Sequence, residues 1–213
     1  MSDQTGPSEL EFFGEVTAAI THDINNRLAV INENAGLLED YVHMYRNGRE
    51  MDPEKLGRVA ENVKRNVSRA HEIVKTLNRF AHAVDKPVEQ VDLQDTLTLS
   101  SLLSGRVLQK NDVSLNVDTT GDTVTINTSR YHLLILIWVC IKTAAGNAAP
   151  GGALSLTCGK SGDDAHISIR MSTATGTGKR LKLPGYAENL AHQIGLSVDE
   201  NQADDTIVIH CRQ

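Results

Sequence analysis

From Leu10 the large apolar residues fall at Leu10, Phe13, Val16, Ile20, Ile24, Leu28, Ile31, Ala35, Leu38 and Tyr41 or Val42, in steps of three and four. That is the period of one face of an α-helix. The same spacing returns at Leu56, Val59, Val63, Val67, Ala70, Ile73 or Val74, Leu77, Phe80 and Val84. Between the two runs Asn47-Gly48 breaks the pattern, and Asp52-Pro53 supplies a helix start, because a proline in the first turn loses no hydrogen bond. Two helices of about 30 residues, each roughly 45 Å at 1.5 Å per residue, are therefore expected to fold back as an antiparallel hairpin. A lone hairpin of that length leaves much of its apolar stripe uncovered. Pairing with a second copy into a four-helix bundle covers it, so a homodimer is expected; the alternative is packing of the stripe on the rest of the same chain.

Beyond the polar link Asp85-Lys86-Pro87 the period shortens. Helical spacing over residues 93–107 precedes two alternating segments, 113–117 and 123–126, which predict strands. Residues 131–145 predict a buried helix, Gly151-Gly152 punctuates the chain before strands at 154–158 and 166–170, residues 183–194 predict a helix, and 207–211 a closing strand. This half is α+β, a mixed or antiparallel sheet with helices on one face. Two domains follow, 1–86 and 87–213.

Of 213 residues 40% are hydrophobic, enough for a real core. With 21 basic against 27 acidic residues and a net charge of −6, the molecule offers no long-range attraction to nucleic acid or an anionic membrane. Cys140, Cys158 and Cys211 are odd in number, far apart and set in apolar stretches, which matches free thiols in a reducing compartment and no metal-ligand spacing. The longest apolar run, 133–141, is less than half of the roughly 20 residues a membrane span requires. The polar start Met-Ser-Asp-Gln-Thr-Gly-Pro lacks the basic region of a secretion signal. A cytoplasmic protein is expected.

The most distinctive chemistry lies in Ile20-Thr-His22-Asp23-Ile-Asn-Asn26-Arg27-Leu28. An imidazole that is largely neutral at pH 7 can attack an acyl phosphate or a nucleotide γ-phosphate through a ring nitrogen. A neighbouring carboxylate can hold the tautomer and balance the cation that forms. The plainer account is an exposed helix histidine beside an ordinary aspartate. The run from Gly14 to Ile31 resembles the H-box of bacterial sensor histidine kinases, and the hairpin followed by an α+β half resembles their dimerisation-and-phosphotransfer domain joined to an ATP-binding domain of the GHKL type. The resemblance implies His22 as phosphoacceptor, Asp23 as the group that orients or deprotonates it, and Asn26 as a positioner of water or of the partner's phosphoryl group. Arg27 stands where the family commonly has proline, which removes an expected bend and adds no chemical obstacle.

The ATP-binding elements of that family are degenerate here. In the helix that would hold magnesium, Trp138 and Lys142 take positions where the family has asparagines, and neither an indole nor an ammonium gives Mg²⁺ the oxygen ligand it needs. Residues 171–180, Met-Ser-Thr-Ala-Thr-Gly-Thr-Gly-Lys-Arg, contain no aspartate to accept the adenine amino group. They also fail the phosphate-loop pattern, since Arg180 follows Gly178-Lys179 and Thr173 replaces the earlier glycine. The whole resembles the histidine phosphotransferases of two-component phosphorelays, which pass a phosphoryl group between a receiver-domain aspartate and the bundle histidine.

Autokinase activity and a bound cofactor are not expected; Mg²⁺ is expected on the partner receiver. Expected partners are a second copy, response-regulator receiver domains docking over Ala18, Ala19, Arg27, Val74 and Leu77, and a sensor histidine kinase, but neither nucleic acid nor membrane. Lys64, Arg65, Arg69, Lys75 and Arg79 would meet an acidic partner or form a solvated helix face with Glu61 and Glu72. The alternative is a pseudo-histidine kinase, a non-catalytic module that binds or regulates another kinase or response regulator. Asp23 and Asn26 favour the phosphotransferase, because a scaffold has no use for them.

Overall fold

A computed structural model describes residues 9–162, 164–172 and 181–211. They form two compact units, Thr17–Asn78 and the combination of residues 9–16 with those from Arg79 onward.

The first unit consists of most of helix α1 (Glu9–Arg46) and helix α2 (Pro53–Ala81). The amides of Asn47, Gly48 and Arg49 close α1 on the carbonyls of His43, Met44 and Tyr45, with Gly48 at φ +77°, the left-handed conformation that a helix-terminating glycine adopts without a Cβ clash. Asp52 starts α2, its carboxylate accepting from the amide of Glu54 at 2.9 Å. Ile20, Asn34, Val59 and Asn66 are buried in this unit. Each buried asparagine donates its amide to a carbonyl of its own helix, Asn34 to Val30 at 2.7 Å and Asn66 to Asn62 at 2.9 Å, which offsets much of the desolvation of the side chain.

The single apolar stripe read from spacing divides in the structure. Val16, Ile20 and Val59 are buried, whereas Leu28, Val42, Val67 and Val74 are 52, 42, 50 and 41% exposed. A 3.6-residue period spreads a long run of apolar positions over two adjacent faces, and one neighbouring helix covers only one of them.

The second unit is built on a five-stranded sheet in the order β2 (Ser114–Asp118), β4 (Ala153–Ser161), β5 (Asp164–Met171), β7 (Thr206–Cys211), β6 (Ser197–Asn201). β2 runs parallel to β4 and the other pairs are antiparallel, so the sheet is mixed. Leu156, Ile169 and Ile207 stand side by side across β4, β5 and β7, all fully buried, and define the core-facing side. Helices α3 (Leu93–Leu103), α5 (Arg130–Asn147) and α6 (Gly185–Gln193) pack there. α5 is apolar all round, with every residue from Leu133 to Ile141 buried, as befits a central helix. A separate antiparallel pair joins β1 (Glu89–Asp92) to β3 (Thr125–Thr128).

Several expected bounds shift. The helical stretch 93–107 is two helices, α3 and α4 (Gly105–Lys110), parted at Ser104. The strand expected at 123–126 occupies Thr125–Thr128, because Val124 is spent in accepting from the amide of Leu93 ahead of the pairing. The helix expected from residue 183 begins at Gly185, after Pro184. β1 and β6 were not expected: Glu-Gln-Val-Asp and Ser-Val-Asp-Glu-Asn each carry one large apolar residue, too few to show alternation. No helix among the described residues is long and apolar enough to cross a membrane.

Candidate functional site

Helix geometry assembles the three residues singled out in the sequence. His22 is on the exposed side of α1, its side chain 61% accessible. Asn26 is one turn on, and its amide nitrogen lies 3.3 Å from His22 Nδ1. Asp23 Oδ1 lies 3.5 Å from the same nitrogen. The two neighbours select opposite tautomers. An amide N–H donates only to an unprotonated Nδ1, which puts the ring proton on Nε2; a carboxylate accepts only from a protonated Nδ1, which leaves the Nε2 lone pair free. Nothing else among the described residues engages the ring, so Nε2 is unobstructed, and it is nucleophilic in the tautomer that Asp23 selects.

Ala18 is exposed one turn before His22, and Ala19 and Arg27 are half-buried. The Arg27 Nε is buried without a hydrogen-bond partner. On α2, Val74 is exposed and Leu77 half-buried. Lys64, Arg65, Arg69 and Lys75 are exposed, with Arg65 turned to Asn62 Oδ1 at 2.5 Å. Arg79 differs: it belongs to the other unit and pairs with Asp95 at 2.5 Å, a carboxylate that Arg130 also holds, so it is not free for an acidic partner.

In the second unit Trp138 and Lys142, expected from the resemblance to stand in place of asparagines, make contacts with the chain's own first helix. Trp138, 3% exposed, meets the Phe12 ring at 5.1 Å in an edge-on arrangement. Phe12 also meets Phe80 and Tyr131. Lys142 places its ammonium 4.4 Å from the Trp138 ring centroid and 3.2 Å from Glu15. Glu9 completes the edge, its carboxylate 3.1 Å from His132 Nε2 and its carbonyl accepting from the Tyr131 hydroxyl at 3.1 Å. Desolvation, then the charge of Glu9, raises the Tyr131 phenol above its ordinary pKa. Sequence reasoning missed this cluster, although the doublet Phe12-Phe13 carried a signal. Adjacent aromatics point to different sides of a helix, so one of them needed a partner away from the main stripe.

Of the expected adenine element, residues 171–180, positions 173–180 lie outside the described residues, Gly178, Lys179 and Arg180 among them. No group of three or more histidine, cysteine or acidic side chains suited to a metal ion occurs among the described residues. Cys140 and Cys211 are buried and Cys158 is half-buried, all three as free thiols.

No family model matches the chain, and no curated protein matches it. Solved structures similar to it include histidine kinase domains and a phosphotransferase. A bacterial phosphotransferase is 16% identical, with 97% of this chain and 98% of that one covered at a TM-score of 0.49. The histidine kinase AdeS of Acinetobacter baumannii is 10% identical over 84% of this chain and 94% of its own, at 0.47. The cytoplasmic segment of the histidine kinase QseC is 14% identical over 69% and 94%, also at 0.47. The architecture expected from the sequence, a long helical part followed by a mixed-sheet α/β domain, is the one described above.

Proposed function

We propose that this chain is a histidine phosphotransferase of a bacterial two-component phosphorelay, in which His22 takes a phosphoryl group from a receiver-domain aspartate and gives it to another. The observation that carries the proposal is an exposed imidazole with a carboxylate and an amide at one ring nitrogen and the other ring nitrogen open. With Nδ1–H directed at Asp23, the Nε2 lone pair attacks phosphorus, the bond from phosphorus to the aspartyl oxygen breaks, and the receiver's carboxylate leaves. The phosphorylated ring is left cationic with its proton on Nδ1, and Asp23 balances that charge. The reverse sequence delivers the group. The receiver brings the Mg²⁺ that neutralises the phosphoryl oxygens, and Asn26 is placed to orient them or a water.

ATP has no part in this scheme. Trp138 and Lys142, which stand where magnesium-holding asparagines would be, serve instead to anchor the first turns of α1. The working form is a homodimer. Exposed apolar residues recur at seven-residue intervals, Leu28, Ala35 and Val42 on α1 and Ala60, Val67 and Val74 on α2, the spacing of a coiled-coil seam awaiting other helices.

The test is to incubate the protein with phosphorylated receiver domains and, separately, with radiolabelled ATP, using wild type and His22→Ala. Acid-labile label arriving from a receiver and lost in His22→Ala supports the proposal. Label arriving from ATP alone overturns the exclusion of autokinase activity, and label from neither source turns the assignment towards a pseudo-histidine kinase that works by binding.

A further inference from the structure

We infer that His82 is a second phosphoacceptor on the chain, held ready by Asp85 in the short 3-10 turn that follows α2. The Nδ1 of His82 lies 2.8 Å from Asp85 Oδ2, closer than the 3.5 Å separating Asp23 from the Nδ1 of His22. The His82 side chain is 76% accessible, so Nε2 faces solvent with its lone pair exposed whenever Nδ1 donates to the carboxylate.

Four other histidines differ from this arrangement. His132 has both ring nitrogens engaged, by Ser129 and Glu9. His210 pairs with Asp199 through Nε2 at 3.0 Å, and its side chain is 41% accessible against 76% for His82. His43 and His71 are exposed, and among the described residues neither side chain has a hydrogen-bond or ion-pair partner. The turn is also fixed in place: the Asp85 amide donates to the His82 carbonyl at 3.3 Å, and Ala83 between them is 3% exposed.

In the reaction the Nε2 lone pair forms a bond to phosphorus as the bond from phosphorus to the donor's leaving group breaks. That leaving group is the acyl oxygen of an acyl phosphate or the nitrogen of phosphoramidate. The ring becomes cationic, keeps its proton on Nδ1, and is neutralised by Asp85.

The experiment uses the full chain carrying His22→Ala, so its outcome is independent of the role of His22. Potassium phosphoramidate is the probe, and phosphohistidine is followed site by site by mass spectrometry and ³¹P NMR. His82 is expected to be phosphorylated at Nε2 about tenfold faster than His43 and His71, and Asp85→Asn, which keeps a neutral acceptor in the turn, is expected to bring it down to their rate. Equal rates at the three histidines, or a His82 rate unmoved by Asp85→Asn, overturn the inference.

Discussion

Asp23 and Asn26 both approach one nitrogen of His22, and in the proposed reaction the transfer rate depends on which of them holds it. Asp23→Asn removes the group that favours the nucleophilic tautomer and balances the charge on the product. It is expected to slow phosphoryl uptake about 10²-fold, the low end for such assistance because the carboxylate is exposed, as measured by rapid quench against a phosphorylated receiver. The proximity of these three side chains was legible in the sequence, since residues one and four positions apart on a helix have fixed directions whatever surrounds them. The thiols were legible only as apolar and buried, and their titration depends on depth. Burial pushes the Cys211 thiol up to about 12 and raises Cys140 and Cys158 as well. A thiol whose pKa is raised by folding holds its proton while the unfolded chain loses it near pH 8.5, so the unfolded state binds fewer protons and stability falls as pH rises past that point. Chemical denaturation at pH 7.5 and 10 is expected to show the loss, and Cys158→Ser with Cys211→Ser, compared over the same range, to reduce its slope.

Among the elements, α1 carries two tasks along one continuous helix: its middle displays His22, and its first turns complete the core of the α/β unit. Phe12 and Phe80 are fully buried, although both come from helices expected to belong to a separate hairpin. Phe12→Ala removes a buried ring that touches Phe80, Tyr131 and Trp138, and is expected to destabilise that unit by about 3–5 kcal/mol. Trp138 is the chain's one tryptophan, so its emission reports the change directly, moving to the red in the mutant. Glu15→Ala, which removes a half-exposed ion pair with Lys142, is expected to alter stability by no more than about 1 kcal/mol. The contrast separates packing from charge as the anchor of α1. Helices and strands with strong periodicity were legible from spacing; β1 and β6 were not, because short polar strands exist only by virtue of the neighbours they pair with.

For the molecule as a whole, the proposed homodimer rests on the two exposed apolar stripes. Leu28→Glu with Val67→Glu places charges on both and is expected to convert a dimer to a monomer in sedimentation equilibrium while leaving the helical content of the circular dichroism spectrum intact. Dimerisation of this double mutant at wild-type strength would show that the second copy binds elsewhere. The period of the apolar residues was enough to determine the helical pair, the α+β half and the face on which His22 sits, because those depend on directions along a single chain. Tertiary structure alone decided which apolar face is buried within one copy, that Phe12 belongs to the core around Trp138, that Arg79 is bound by Asp95, and that Asp85 reaches the ring of His82. Each of these rests on how a side chain meets a neighbour across space or around a turn, and periodicity carries no record of such meetings.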